Sequence, residues 1–260
     1  DSGNGTLTIQ AAVTTPDGAI ELTSAAHDVK LDAAAAVGTT TGKVTVTAAS
    51  GPDDGKIVMA DGATISGDLV ELTAQGDITL GSVSATSSSD TAVVISAQNG
   101  GGIIDADNST GPDITAANGR LVITADNGIG DADALEISVK SLDLQVLQPL
   151  SSGKVQITAD QSLDVVQAVQ SGTGLMDLTV NGTLTILTTA SATPNVSTTS
   201  GALNLTATGV NGRIVVNGDV ATTTGPIDLN AAQDVDVSGT VTSTGGAINI
   251  ESGTGTDVSG

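Results

Sequence analysis

The chain has no Phe, Trp, Tyr or Cys in 260 residues. The lack of Cys removes disulfides, thiolate metal sites and cysteine nucleophiles. The lack of aromatics restricts the fold further. A compact globule of this length normally draws on them, because each buries far more area than a valine. The core must come from 27 Val, 18 Ile, 20 Leu and 2 Met, so it is thin and built from branched side chains. Bases are scarce as well: 7 Lys and Arg stand against 29 Asp and Glu, for a net charge of −22. That balance opposes nucleic acid, which needs clustered cations for its phosphates. It also opposes anionic membrane surfaces. Apolar runs of about 18 residues are missing, so no membrane insertion is expected. Asp1 opens directly into repeat-like sequence, with no signal-peptide pattern.

Thr is the commonest residue, at 38, and Asp supplies 25 of the 29 acids. Thr, Val and Ile favour strands, while Asp and Gly favour turns. A short pattern recurs: a small or polar turn, then aliphatic-x-aliphatic-x-Ala. It reads GKVTVTA from Gly42, GRLVITA from Gly119, GKVQITA from Gly153, GALNLTA from Gly201 and GPIDLNA from Gly225. Each copy is a strand with period-2 alternation between turn residues. The second aliphatics mark the register. Leu22, Val46, Leu72, Ile95 and Ile123 follow one another at 24, 26, 23 and 28 residues, and Ile157, Leu178, Leu205, Leu229 and Ile250 at 21, 27, 24 and 21. Between the two runs lies a gap of 34, with a partial copy at Ile137. The spacing of 13 from Ile9 to Leu22 predicts an irregular first turn. A second strand follows at an offset of 8 in several coils, as at Leu80 after Leu72 and Val165 after Ile157, and at 12 for Val58 after Val46. A short third segment comes next, as at Val83, Val220 and Val241.

Seven Asn-Gly dipeptides are compatible with the hairpins of an antiparallel sandwich. Sandwich strands, however, have no reason to repeat one pattern ten times. Stacked coils do, because each position sits on its own counterpart. The six prolines, Pro16, Pro52, Pro112, Pro149, Pro194 and Pro226, fall between strands or where a strand begins. The expected fold is all-β: a right-handed parallel β-helix, three-sided, of about ten coils of 21–28 residues. It covers 1–260 as a single segment. Valines, isoleucines, leucines and alanines fill its lumen, and threonines face solvent in rows. Neither end carries a capping helix, and naked coils are sticky sheet edges. The segment is therefore expected to belong to a longer array, or to associate end to end into a filament.

Two stretches resemble the repeat region of filamentous-haemagglutinin-type adhesins and giant bacterial surface proteins. They are Leu121–Ile137, reading LVITADNGIGDADALEI, and Gly76–Leu80, reading GDITL. The resemblance implies a right-handed β-helix, export to the bacterial cell surface or extracellular space, and a stalk or adhesive role. Host-cell or matrix glycans are the partners it implies.

Catalytic constellations are sparse. Carboxylates two apart occur at Asp105/Asp107, Asp131/Asp133 and Asp234/Asp236, which places each pair on one strand face or in one turn. They read as solvated turn acids. His27, beside Asp28, is the one candidate base, and Arg120 and Arg213 are the only arginines. Gly253–Asp257 lacks the lysine of a phosphate-binding loop. No catalytic or cofactor-binding residue is assigned, and the enzyme alternative is a carbohydrate-active β-helix. Calcium suits the acid clusters best among ligands, which gives a second alternative, a calcium-stabilised spacer. The oxygens are offered by Asp53 and Asp54, by Asp105, Asp107 and Asn108, and by Asp126, Asn127, Asp131 and Asp133. The sequons at Asn4, Asn108, Asn181, Asn195 and Asn204 are chance products of a Thr-rich chain. Variable coil length argues against a regular ice-binding array.

Overall fold

A computed structural model describes residues 5–49, 55–106, 111–148, 152–189, 194–253 and 255–257. Among them there is no helix, and every strand pairing is parallel. The chain winds into a β-solenoid of about ten turns. Three strands make the first coil: Leu7–Ile9, Val13–Thr15 and Ile20–Ser24. Each lies on a strand of the next coil, with Ile9 on Leu31, Val13 on Val37 and Leu22 on Val46. Ile9 and Leu22 thus occupy different faces of one regular coil, and the first turn is not the irregular one their spacing predicted.

The marker residues stack within each run. Leu22, Val46, Leu72, Ile95 and Ile123 form one column, and Ile157, Leu178, Leu205, Leu229 and Ile250 another. The columns are on different faces, however. Ile123 continues onto Leu144, whereas Ile157 sits beneath Leu135. The gap of 34 is a change of face by the sequence pattern. The Ile123 column itself keeps its face, running on to Leu144 and Ala168, while register slips nearby between Ala116 and Arg120 and between Leu142 and Asp143. A smaller correction falls on the first strand of the third coil, Ile57–Met59. Ile57 and Met59 point inward and Val58 outward, with Met59 under Leu31.

Alternation puts one aliphatic set inside and leaves the other half-exposed. Val44, Val46 and Ala48 are buried, and Thr45 and Thr47 lie on the outer face. Thr23, Thr47 and Thr73 continue as a row up successive coils, as the composition anticipates. The prolines that fall among the described residues, Pro16, Pro112, Pro194 and Pro226, lie outside strands. Pro52 and Pro149 are outside the described residues.

One corner depends on a stack of glycines. Gly153, Gly174, Gly201, Gly225 and Gly246 lie at the same place in successive coils. A β-carbon on any of the last four would overlap the carbonyl of the glycine before it. Hydroxyls brace the same corner. Thr198, Thr222 and Ser243 stack on one another. Thr198 Oγ1 donates to the Gly201 carbonyl at 2.7 Å, and Ser243 Oγ to the Gly225 carbonyl at 3.0 Å. Gln170 takes the equivalent position one coil earlier and donates to the Gly153 carbonyl at 2.7 Å. These carbonyls are buried at a bend, and leaving one unsatisfied costs about 1–3 kcal/mol.

Substituting Gly201→Ala should therefore force the corner open and destabilise the rod by about 1–3 kcal/mol. Gly245→Ala is the control. Its β-carbon would meet nothing nearer than 3.5 Å, at an exposed site. Its cost should stay within about 0.5 kcal/mol. Thermal or urea unfolding of the two variants tests this, and equal midpoints would remove the corner stack as a determinant of stability.

Candidate functional site

Two places on the rod gather chemically active side chains. The first is a group of three carboxylates, Asp105, Asp113 and Glu136, each offering an oxygen within 4.8 Å of the others. Coil stacking brings two of them together. Asp113 precedes Ile114, Glu136 precedes Ile137, and Ile114 lies on Ile137. The backbone N–H of Asp113 donates to the Glu136 carbonyl at 2.8 Å, and the N–H of Glu136 donates to Asp113 Oδ2 at 3.0 Å. Asp105 ends the strand Ile103–Asp105 on the adjoining face and reaches the same spot. Asp113 is only 4% exposed. Glu136 Oε2 is buried with no hydrogen-bond partner among the described residues.

Burial pushes the Glu136 carboxyl above its usual range, and the negative charges of Asp105 and Asp133 push it the same way. A backbone N–H and Asp113 oppose the shift without cancelling it. The cluster thus favours holding a proton on Glu136. Three carboxylates are about half the oxygens that calcium takes. The other ligands anticipated beside Asp105, Asp107 and Asn108, lie outside the described residues, as do Asp53 and Asp54.

The third anticipated cluster is distributed over turns. Asp126 Oδ2 accepts the N–H of Gly100 at 3.0 Å, Asp131 Oδ1 that of Lys154 at 2.8 Å, and Asp133 Oδ1 that of Ala134 at 3.0 Å. Asp126 and Asp131 thereby tie neighbouring coils together. Asp77 acts likewise. Burial alone would raise its carboxyl, but the Gly102 N–H and the Lys56 ammonium hold it below its ordinary value. Asp177 goes the other way, raised by burial despite hydrogen bonds with Asn204 and Thr179. Asp234 and Asp236 share an outward face, as their spacing predicts, and Asp236 pairs with Arg213. Ser24 Oγ accepts the backbone N–H of His27 and donates to the Gly5 carbonyl at 3.2 Å, while Asp28 accepts the Lys56 N–H at 3.0 Å. These groups brace backbone between coils. Asn195 is buried and does the same: its amide donates to Val166 and Thr189, and its oxygen accepts from Asp219.

The second place is a groove of about 150 Å³ on the outer wall, lined in part by Arg120 and Lys140. It lies where the register slips, and the residues looped out between Ala116 and Arg120 form one side. Arg120 Nη2 contacts Asp90 at 3.2 Å. The sequence drew attention to Arg120 only as one of two arginines. Asp113 and Glu136 carried one available signal, a separation of one coil length, 23 residues, each just before a lumen isoleucine.

Glu136 gives a pH test with a definite sign. Its folded carboxyl binds a proton more readily than the unfolded one, so its contribution to stability is fullest below the ordinary value of 4.5 and is lost as pH rises through the raised folded value. Glu136→Gln should raise the unfolding midpoint at pH 7, and the gain should shrink as pH falls towards 4. A gain that is constant with pH would disconnect the cluster from proton binding. No protein-family model, curated protein sequence or solved structure matches this chain.

Proposed function

We propose that this chain is a non-catalytic structural segment, a length of stalk in a bacterial cell-surface adhesin or extracellular filament. The observation that carries the reading is the state of the two ends. Among the described residues, Thr240–Ser243 and Ile248–Ser252 pair with strands on one side only. Ile248 is 43% exposed, whereas Ile227, the residue it stacks on, is fully buried. Val241 and Ile250 are partly exposed, and their counterparts Val220 and Leu229 are buried. The other end repeats the pattern: Val13 is 36% exposed above a buried Val37, and Leu7 and Ile9 are partly exposed above Val29 and Leu31. One more parallel coil at each end would complete the burial and pair the free backbone edge. Another copy stacked end to end would supply such a coil.

The rest of the rod's character agrees with a stalk. About ten coils at ~4.8 Å each give a rod roughly 50 Å long. A charge of −22 repels neighbouring rods sideways while leaving axial stacking open. The surface or extracellular location is supported by the sequence resemblance of Leu121–Ile137 and Gly76–Leu80. Two measurements bear on the reading. Light scattering and electron microscopy of the 260-residue chain should find linear, concentration-dependent species. A stable monomer, with terminal strands as protected in hydrogen exchange as central ones, would overturn end-to-end assembly. A glycan-degradation screen should find no turnover, and turnover would replace the stalk with the carbohydrate-active enzyme.

A further inference from the structure

We propose that the groove at Arg120 and Lys140 binds a hydroxylated carboxylate, the chemistry of a uronic-acid unit of an acidic glycan. The first observation is electrostatic. The chain has only 7 bases, and two of them line one groove. Lys30, Lys43, Lys56 and Arg213 each sit against an acid of their own, and Lys154, outside the groove, makes no ion pair among the described residues. Lys140 makes no ion pair or side-chain hydrogen bond among the described residues, although Asp164 lines the same groove. The groove sets two bases against two acids, Asp90 and Asp164, so it is locally neutral in a chain of charge −22, and an external anion meets less repulsion there than elsewhere on the rod.

The second observation is the condition of Arg120. Its Nη2 touches Asp90 Oδ1 at 3.2 Å, but its Nε is buried without an acceptor among the described residues. A guanidinium edge presents Nε and Nη2 together and matches both oxygens of one carboxylate. Asp90 supplies one contact of the two, from a side chain 84% exposed. A ligand carboxylate that displaces Asp90 would satisfy both donors. The side chain of Arg120 is only 24% exposed, so the fork is held in place by its surroundings.

The third observation is where the groove lies. It opens at the register slip beside Arg120, a bulge of the sort that re-aims side chains and recurs at functional sites. Its volume of about 150 Å³ suits one small ring rather than an extended chain. Asn118, Ser141 and Asp164 add hydrogen-bonding groups for hydroxyls, and Val166 and Leu187 add aliphatic surface. With no aromatic residue in the chain, a neutral sugar has no ring to stack on, so recognition rests on charge and hydrogen bonds. The site's chemistry is independent of axial assembly. A rod that assembles without binding, or binds without assembling, separates this inference from the stalk reading.

The test is titration of the full chain with glucuronate and galacturonate, read by backbone amide shifts in NMR and by calorimetry. Glucose and acetate are controls. Saturable shifts confined to the surroundings of Arg120 and Lys140 are expected for the uronates, with glucose silent and acetate at least tenfold weaker. An oligo-uronate that binds no more weakly than the single unit supports a glycan source. One excluded by its length indicates a free hydroxy acid instead. Arg120→Gln should weaken binding tenfold or more and Lys140→Gln severalfold. Asp90→Asn should tighten it, because the internal competitor is gone. Unchanged thermal unfolding in Lys140→Gln and Asp90→Asn keeps the result interpretable if Arg120→Gln perturbs the fold. Equal binding of glucose, shifts scattered over the rod, no saturation with either uronate, or weaker binding in Asp90→Asn would each overturn the proposal.

Discussion

Backbone hydrogen bonding between coils, parallel and in register, is the constraint on which the structure depends. Each strand finds its partners one coil above and one below, so each residue lies on a counterpart and must be compatible with it. Lumen positions stack aliphatic on aliphatic, as Leu178, Leu205 and Leu229 do. The bend stacks glycine on glycine, because a β-carbon there would occupy the space of the neighbouring coil's carbonyl. The buried hydroxyls of Thr198 and Thr222 follow from the same geometry. A bend cannot pair all its carbonyls with strands, and a side chain one strand-end away does so instead.

Stacking also creates the two places where side chains conflict or combine. Register seats Glu136 against Asp113 in a buried position near Asp105 and Asp133, and its raised carboxyl pKa is the response first to burial and then to those two charges, while Asp113 itself pulls the other way. The Arg120 groove arises by the opposite route. Register fails there for a few residues, and side chains otherwise held in rows turn towards a shared hollow. Order gives the rod its length, and one local lapse of order gives it a concave surface.

Much of this architecture was legible in the residues. Period-2 alternation fixes which side chains enter the lumen, and marker spacing of one coil fixes which residues stack. Eight pairings, four from Leu22 to Ile123 and four from Ile157 to Ile250, follow from spacing alone. The two spacing failures share one cause. A repeat pattern gives distance along the chain but not the face of the coil. Ile9 and Leu22 therefore looked too close, and Ile123 and Ile157 looked too far apart. Val58 was misplaced because Ile57, Val58 and Met59 are all apolar, and three apolar residues in a row carry no alternation to read. The carboxylate group was half visible. Asp105 stood out in its Asp-rich turn, but Asp113 and Glu136 lie singly in strand-like sequence, and only the fold shows them to be neighbours. The groove left still less trace, since a register slip is a relation between two coils.

The direction of the hydrogen bonds has a mechanical consequence. In this solenoid they run along the rod, so tension applied to its ends loads them directly. The bonds of three strands share the load at each coil boundary, and when one boundary fails the coil peels away as a unit. A coil of 24 residues, such as Leu22 to Val46, then contributes roughly 80 Å of extended chain, in place of the ~4.8 Å it gave as part of the rod. Under pull, the rod would lengthen in discrete steps and dissipate force rather than break.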